Sequence, residues 1–93
     1  MDNWRYASKE WALPNEGEEG YIKALDFGWV LGIKGDAISD SKVVLEPKKF
    51  SNDINQKWTR SFVNEHGYFT FRTINGLYLS VDSKGNPYIE GKI

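Results

Sequence analysis

Apolar and polar residues alternate along most of this chain. Tyr68, Thr70 and Arg72 interleave with Phe69 and Phe71, and Leu77, Leu79 and Val81 interleave with Tyr78 and Ser80. A period of two places one set of side chains on each face of a strand, so these stretches read as half-buried β-strands. Val43-Val44-Leu45 adds a short β-branched run. Turn signals fall between them at short intervals: Pro14-Asn15, Glu16-Gly17, Lys34-Gly35-Asp36, Asn52-Asp53, Asn64 to Gly67, Asn75-Gly76 and Lys84 to Pro87. Asn75-Gly76 predicts a type I′ hairpin, with positive φ at both central residues. No stretch carries the 3.6-residue period of an amphipathic helix, and Lys48 to Asn55 leaves room for one irregular or 3-10 turn. The pattern predicts an all-β domain.

The pattern also repeats. Lys9-Glu10-Trp11, Gly20-Tyr21-Ile22 and Gly28 to Ile33 are echoed by Gln56-Lys57-Trp58, Gly67-Tyr68-Phe69 and Gly76 to Val81. Trp11 to Trp58 and Tyr21 to Tyr68 both step 47 positions, and Gly28 to Gly76 steps 48. A fixed period of this size means one supersecondary unit used more than once, each copy burying its apolar face against the next. Residues 1–19 read as the end of one repeat, 20–66 as a complete repeat and 67–93 as the start of the next, all within a single domain.

Composition narrows the function classes. The 93 residues are 40% hydrophobic and 15% aromatic, which is a globular and not a disordered profile. A net charge of −1 gives no general attraction to nucleic acid. Lys48, Lys49, Lys57 and Arg60 form a modest basic cluster that reads mainly as a solvated rim. No apolar run approaches the ~20 residues of a membrane span, and the start lacks a signal-peptide pattern. There is no Cys, hence no thiolate metal site, which fits a reducing, cytoplasmic setting. The single His66 lies in a turn beside Gly67, and Ser39, Ser41 and Ser51 have no partnering base, so nucleophilic catalysis has no constellation. Asp36 and Asp40 lack the Glu that completes a calcium loop. Glu46 and Glu90 are the pair of acids that facing one groove would suit to glycoside hydrolysis, a minor reading. No Gly-rich loop precedes a helix, so no nucleotide site and no cofactor is expected.

The stretch from Leu45-Glu46-Pro47 through the polar loop to Asn55-Gln56-Lys57-Trp58 resembles the second half of a ricin-B-type lectin repeat. Trp29 to Ile33 and Gly67-Tyr68-Phe69 fall where that family has its other strands. Asn75 to Asp82 also resembles trefoil repeats of the fascin type. The resemblance implies a β-trefoil-like fold, of which the chain holds about two of three four-stranded units. It implies that Trp11 and Trp58 point inward and fill equivalent layers, and that Gln56 hydrogen-bonds backbone groups of its loop while Asn55 faces outward.

The sequence departs from sugar-binding members of that family at two places. Gly32 stands where they carry an Asp that accepts from sugar hydroxyls, and Glu46 stands where they carry the aromatic residue that stacks on the ring. In the second copy Ser80 and Glu90 take those places, and in the first Ser8-Lys9 replaces Asn-Gln. The resemblance therefore implies a non-enzymatic carbohydrate-binding module with a degenerate sugar site. Its candidate ligand residues are Asn55, Gln56, Glu46 and Trp29, with Trp29 and Tyr78 in matching places. The alternative is a protein-interaction or scaffold module on the same frame, with a cytoskeletal partner as the fascin-like variant. The expected partner is a glycan or a protein. Unpaired strand edges imply a homo-oligomer or a larger chain.

Overall fold

The computed structural model describes residues 11–25 and 28–91; the Ser8-Lys9 and Lys9-Glu10 positions lie outside them. The fold is all-β. Its strands are β1 (Trp11–Ala12), β2 (Glu19–Gly20), β3 (Lys23–Ala24), β4 (Val30–Ile33), β5 (Val43–Glu46), β6 (Trp58–Arg60), β7 (Phe71–Arg72), β8 (Tyr78–Val81) and β9 (Pro87–Glu90). A 3-10 turn, Ile54–Gln56, leads into β6; it overlaps the end of the Lys48 to Asn55 stretch and extends one residue beyond it. Two antiparallel sheets run in the orders β1-β3-β4-β5 and β2-β6-β7-β8-β9. They meet where Lys42 bridges Tyr88 and where the Asp40 N–H donates to the Ile89 carbonyl at 2.7 Å.

The two halves follow one pairing scheme. β1 pairs β3, β3 pairs β4 and β4 pairs β5; likewise β6 pairs β7, β7 pairs β8 and β8 pairs β9. The register makes the equivalences explicit. Ala12 lies opposite Lys23, and Thr59 opposite Arg72. Lys23 lies opposite Val30, and Arg72 opposite Tyr78. Val30 lies opposite Glu46, and Tyr78 opposite Glu90.

Two sequence alignments are corrected by this register. Lys23 corresponds to Arg72, a step of 49, so Gly20-Tyr21-Ile22 matches Phe69-Thr70-Phe71 and not Gly67-Tyr68-Phe69. The loop between the Trp strand and the following strand is two residues longer in the second copy, and period-two alternation survives a two-residue slip without changing which face is buried. Similarly, Tyr78 matches Val30, not Trp29. The matches of Gly32 with Ser80 and of Glu46 with Glu90 follow from the same register.

The hairpin at Asn75-Gly76 also differs from expectation. Gly76 has φ +83, but Asn75 is not in the positive-φ region. The Gly76 N–H donates to the Thr73 carbonyl and the Thr73 N–H to the Leu77 carbonyl. This is a turn closed by a left-handed glycine, a three-residue hairpin solution and not type I′. The cause is local. Buried Thr73 accepts the Leu77 N–H on its hydroxyl and donates to the Asn75 side chain, which holds Asn75 in an ordinary conformation.

The core gathers Ile22, Leu31, Ile33, Val43, Trp58 and Ile89, with Trp11, Leu45, Phe71 and Leu79 packed half-buried around it. Trp58 has no exposed surface, and its indole N–H donates to the Leu31 carbonyl at 3.0 Å. That bond satisfies the only polar atom of the side chain. Trp11 occupies the equivalent strand and packs against the same core.

Candidate functional site

Gly32, Glu46 and Gln56 converge on one face of the β4–β5 hairpin. Leu31 and Leu45 pair on the core face, so Gly32 and Glu46 project to the other. There the Glu46 carboxylate lies across the bare α-carbon of Gly32. A Cβ at residue 32 would stand 2.9 Å from Glu46 Cδ and 3.2 Å from Gln56 Cγ, so a side chain there would have to displace the Glu46 carboxylate. Gly32 and Glu46 thus form one arrangement. The missing side chain at 32 makes the room that the side chain at 46 fills.

Gln56 closes the arrangement. It is fully buried in the 3-10 turn, and both of its amide hydrogens are used. Nε2 donates to Glu46 Oε2 at 2.7 Å and to the Pro47 carbonyl at 3.0 Å, while Oε1 accepts the Lys49 N–H at 2.9 Å. One side chain ties the loop after β5 back to the turn before β6. The hydrogen bond to a carboxylate is among the stronger kinds. Gln56 therefore bonds loop backbone as its motif implies, and its amide is spent inside the protein.

The other candidates stand apart from this lock. Asn55 is half-exposed and donates to the Gly35 carbonyl at 3.1 Å, pinning the turn after β4. Trp29 is 42% exposed and precedes Val30, the residue opposite Glu46. The structure places Asn55 and Trp29 at opposite ends of β4, with the Glu46–Gln56 pair over Gly32 between them.

A second cluster escaped the sequence reading. The Tyr21 hydroxyl donates to the Asp53 carboxylate in a short hydrogen bond. Lys48 Nζ sits 4.6 Å from the Tyr21 ring centre and 5.9 Å from that of Phe50, and Phe50 is 98% exposed. A cation over two rings is a favourable cation–π geometry. Loop residues 48–53 thus present an aromatic ring to solvent with a cation beside it, and the same cation reaches the Tyr21 ring whose hydroxyl bonds Asp53. The only signal in the sequence was Lys48 as part of a basic cluster. That cluster is divided in space: the Arg60 guanidinium stands 4.1 Å from the Phe69 ring centre and donates to the Pro14 carbonyl.

The Tyr21–Asp53 bond sets a pH window. Sharing the phenol proton holds the Asp53 carboxyl below its ordinary 3.8 and the Tyr21 hydroxyl above its ordinary 10.0. The lowered acid contributes stability that is present above the unfolded pKa and is lost as pH falls through the folded value. The raised phenol contributes stability that is present below about 10 and is lost as pH rises through its folded value. Tyr21→Phe is expected to melt below wild type at pH 7, with the gap narrowing as Asp53 protonates below pH 4. Thermal melts of both proteins from pH 2 to 7 check this; a gap that is constant with pH contradicts the coupling.

His66 lies in the exposed turn after Asn64, whose side chain accepts the His66 and Tyr68 N–H groups. Among the described residues no group of three or more acidic or His side chains converges to hold a metal. Among them, too, no helix is long and apolar enough to cross a membrane. No protein-family model, no curated protein and no solved structure matches this chain.

Proposed function

We propose that this protein is a non-enzymatic binding module that recognises another protein, built on a ricin-B-like, trefoil-type frame whose sugar cradle has been filled from within. The observation that carries this reading is the Glu46–Gln56 hydrogen bond over Gly32. A sugar hydroxyl arriving there meets no acceptor at 32 and no ring at 46, and it must compete with a satisfied, charge-assisted bond. The exposed apolar side chains Phe50, Phe62 and Tyr68 are the surfaces left for a partner. Capture of partners from a lysate by the immobilised protein, with and without competing simple sugars, tests the reading. Partners retained in the presence of sugar support it, and their elution by sugar overturns it.

A carbohydrate-binding reading is favoured by one observation, the exposed Phe50 ring beside the Lys48 cation. An aromatic face flanked by polar groups is a common platform for a sugar ring. On this reading a glycan array finds a ligand, and Phe50→Ala abolishes the signal while leaving the melting temperature within about 2 °C. Loss through Asn55→Ala instead would place the ligand at the motif itself.

A further inference from the structure

The two copies of the pairing scheme differ at one edge. In the first copy Gly20 lies opposite Trp58 and Glu19 opposite Thr59, so the strand is covered by a Trp-bearing neighbour. The equivalents 49 positions on are Phe69 and Tyr68. Thr70 follows them; its N–H donates to the Ser61 hydroxyl and its carbonyl accepts the Ser61 N–H. Tyr68 likewise donates to the Asn64 side chain and accepts the Asn64 N–H. Successive residues of an extended segment direct their backbone groups to opposite sides. Phe69 is therefore turned away from this partner, and among the described residues its N–H and carbonyl take no hydrogen bond. Tyr68 is 70% exposed, and next to Phe69 the buried Arg60 Nε has no acceptor.

We infer that the Tyr68–Phe69 edge is a docking site for an extended peptide strand that places a Trp opposite Phe69, as Trp58 is placed opposite Gly20. The proposal deepens the protein-binding reading above and rests on it. The template is internal. Arg60 N–H donates to the Glu18 carbonyl, and bonded pairs recur at every second residue of an antiparallel ladder, so Trp58 and Gly20 form the next such pair. A strand added at Phe69 makes the same two backbone bonds, and its Trp enters over Phe71, which already packs against the core. Main-chain bonds supply affinity and the Trp supplies selectivity, the usual division in strand addition.

The probe is a synthetic hexapeptide copying residues 55–60, Asn-Gln-Lys-Trp-Thr-Arg, titrated into the intact protein while amide exchange is followed by NMR. Saturable binding with Phe69 amide exchange slowed at least tenfold is expected. The same peptide N-methylated at its Trp, which deletes the bond to the Phe69 carbonyl, is expected to bind at least tenfold more weakly, as is the Trp→Ala peptide. Absence of saturable binding, or equal binding by the N-methylated peptide, overturns the proposal. Slowing of Phe69 exchange with rising protein concentration and no peptide also overturns it, because the edge then belongs to a second copy. If sugar-insensitive partners are captured but the peptide does not bind, the edge assignment fails and the protein-binding reading stands.

Discussion

Trp58→Ala is expected to unfold most of the protein. Emptying a fully buried Trp site costs about 3–5 kcal/mol, and a domain of this size has on the order of 5 kcal/mol in total. Two losses combine here. Among the described residues the ring is the largest fully buried side chain, in contact with a core drawn from both sheets. Its N–H also satisfies the Leu31 carbonyl in β4, an inner strand of the four-stranded sheet. Trp58→Phe separates them, since it keeps an aromatic ring and removes the donor. It is expected to cost about 1–3 kcal/mol, most of it from the orphaned carbonyl. Urea unfolding of the three proteins, read by circular dichroism, checks the order. A Trp58→Ala protein with an unchanged midpoint would contradict a core centred on this ring.

Gln56→Ala is expected to be nearly as severe, at about 3 kcal/mol, although the residue lies in a polar loop motif. Truncation strands three partners together: the Glu46 carboxylate, the Pro47 carbonyl and the Lys49 N–H. Each unsatisfied buried group costs about 1–3 kcal/mol, and the half-exposed setting of Glu46 lets water recover part of it. Gly32→Ala attacks the same lock from beneath. Its Cβ displaces the Glu46 carboxylate, with an expected cost of about 1–3 kcal/mol from overpacking and the weakened bond. The discriminating measurement is a double-mutant cycle. In a Glu46→Ala background the Gly32→Ala penalty is expected to shrink by more than half, because the atom it strikes is gone. Equal penalties in both backgrounds would mean that Gly32 is needed for a reason other than room for Glu46.

These two predictions differ in how far they were legible beforehand. Trp58 as an interior ring is what the resemblance of its Asn-Gln-x-Trp stretch implies. The role of Gln56 as a loop fastener was implied by its motif, but its partner was not. The Glu46–Gln56 bond joins residues ten apart through the space above Gly32, and no local pattern encodes that a missing Cβ on one strand admits a carboxylate from its neighbour. For the same reason Gly32 and Glu46 looked like two separate losses from a sugar site. The Tyr21–Asp53 pair, 32 residues apart, left no trace in periodicity at all.

Alternation of apolar and polar residues, together with glycine-marked turns, determined by itself that this chain forms short antiparallel strands in two related copies, because a period of two and a left-handed turn residue are properties of the local backbone. Only the tertiary structure decided the register between the copies, the closure of the Gly32 face and the open edge at Phe69. Those depend on which strands become neighbours, and a slip of two residues leaves the local pattern unchanged while moving every cross-strand partner.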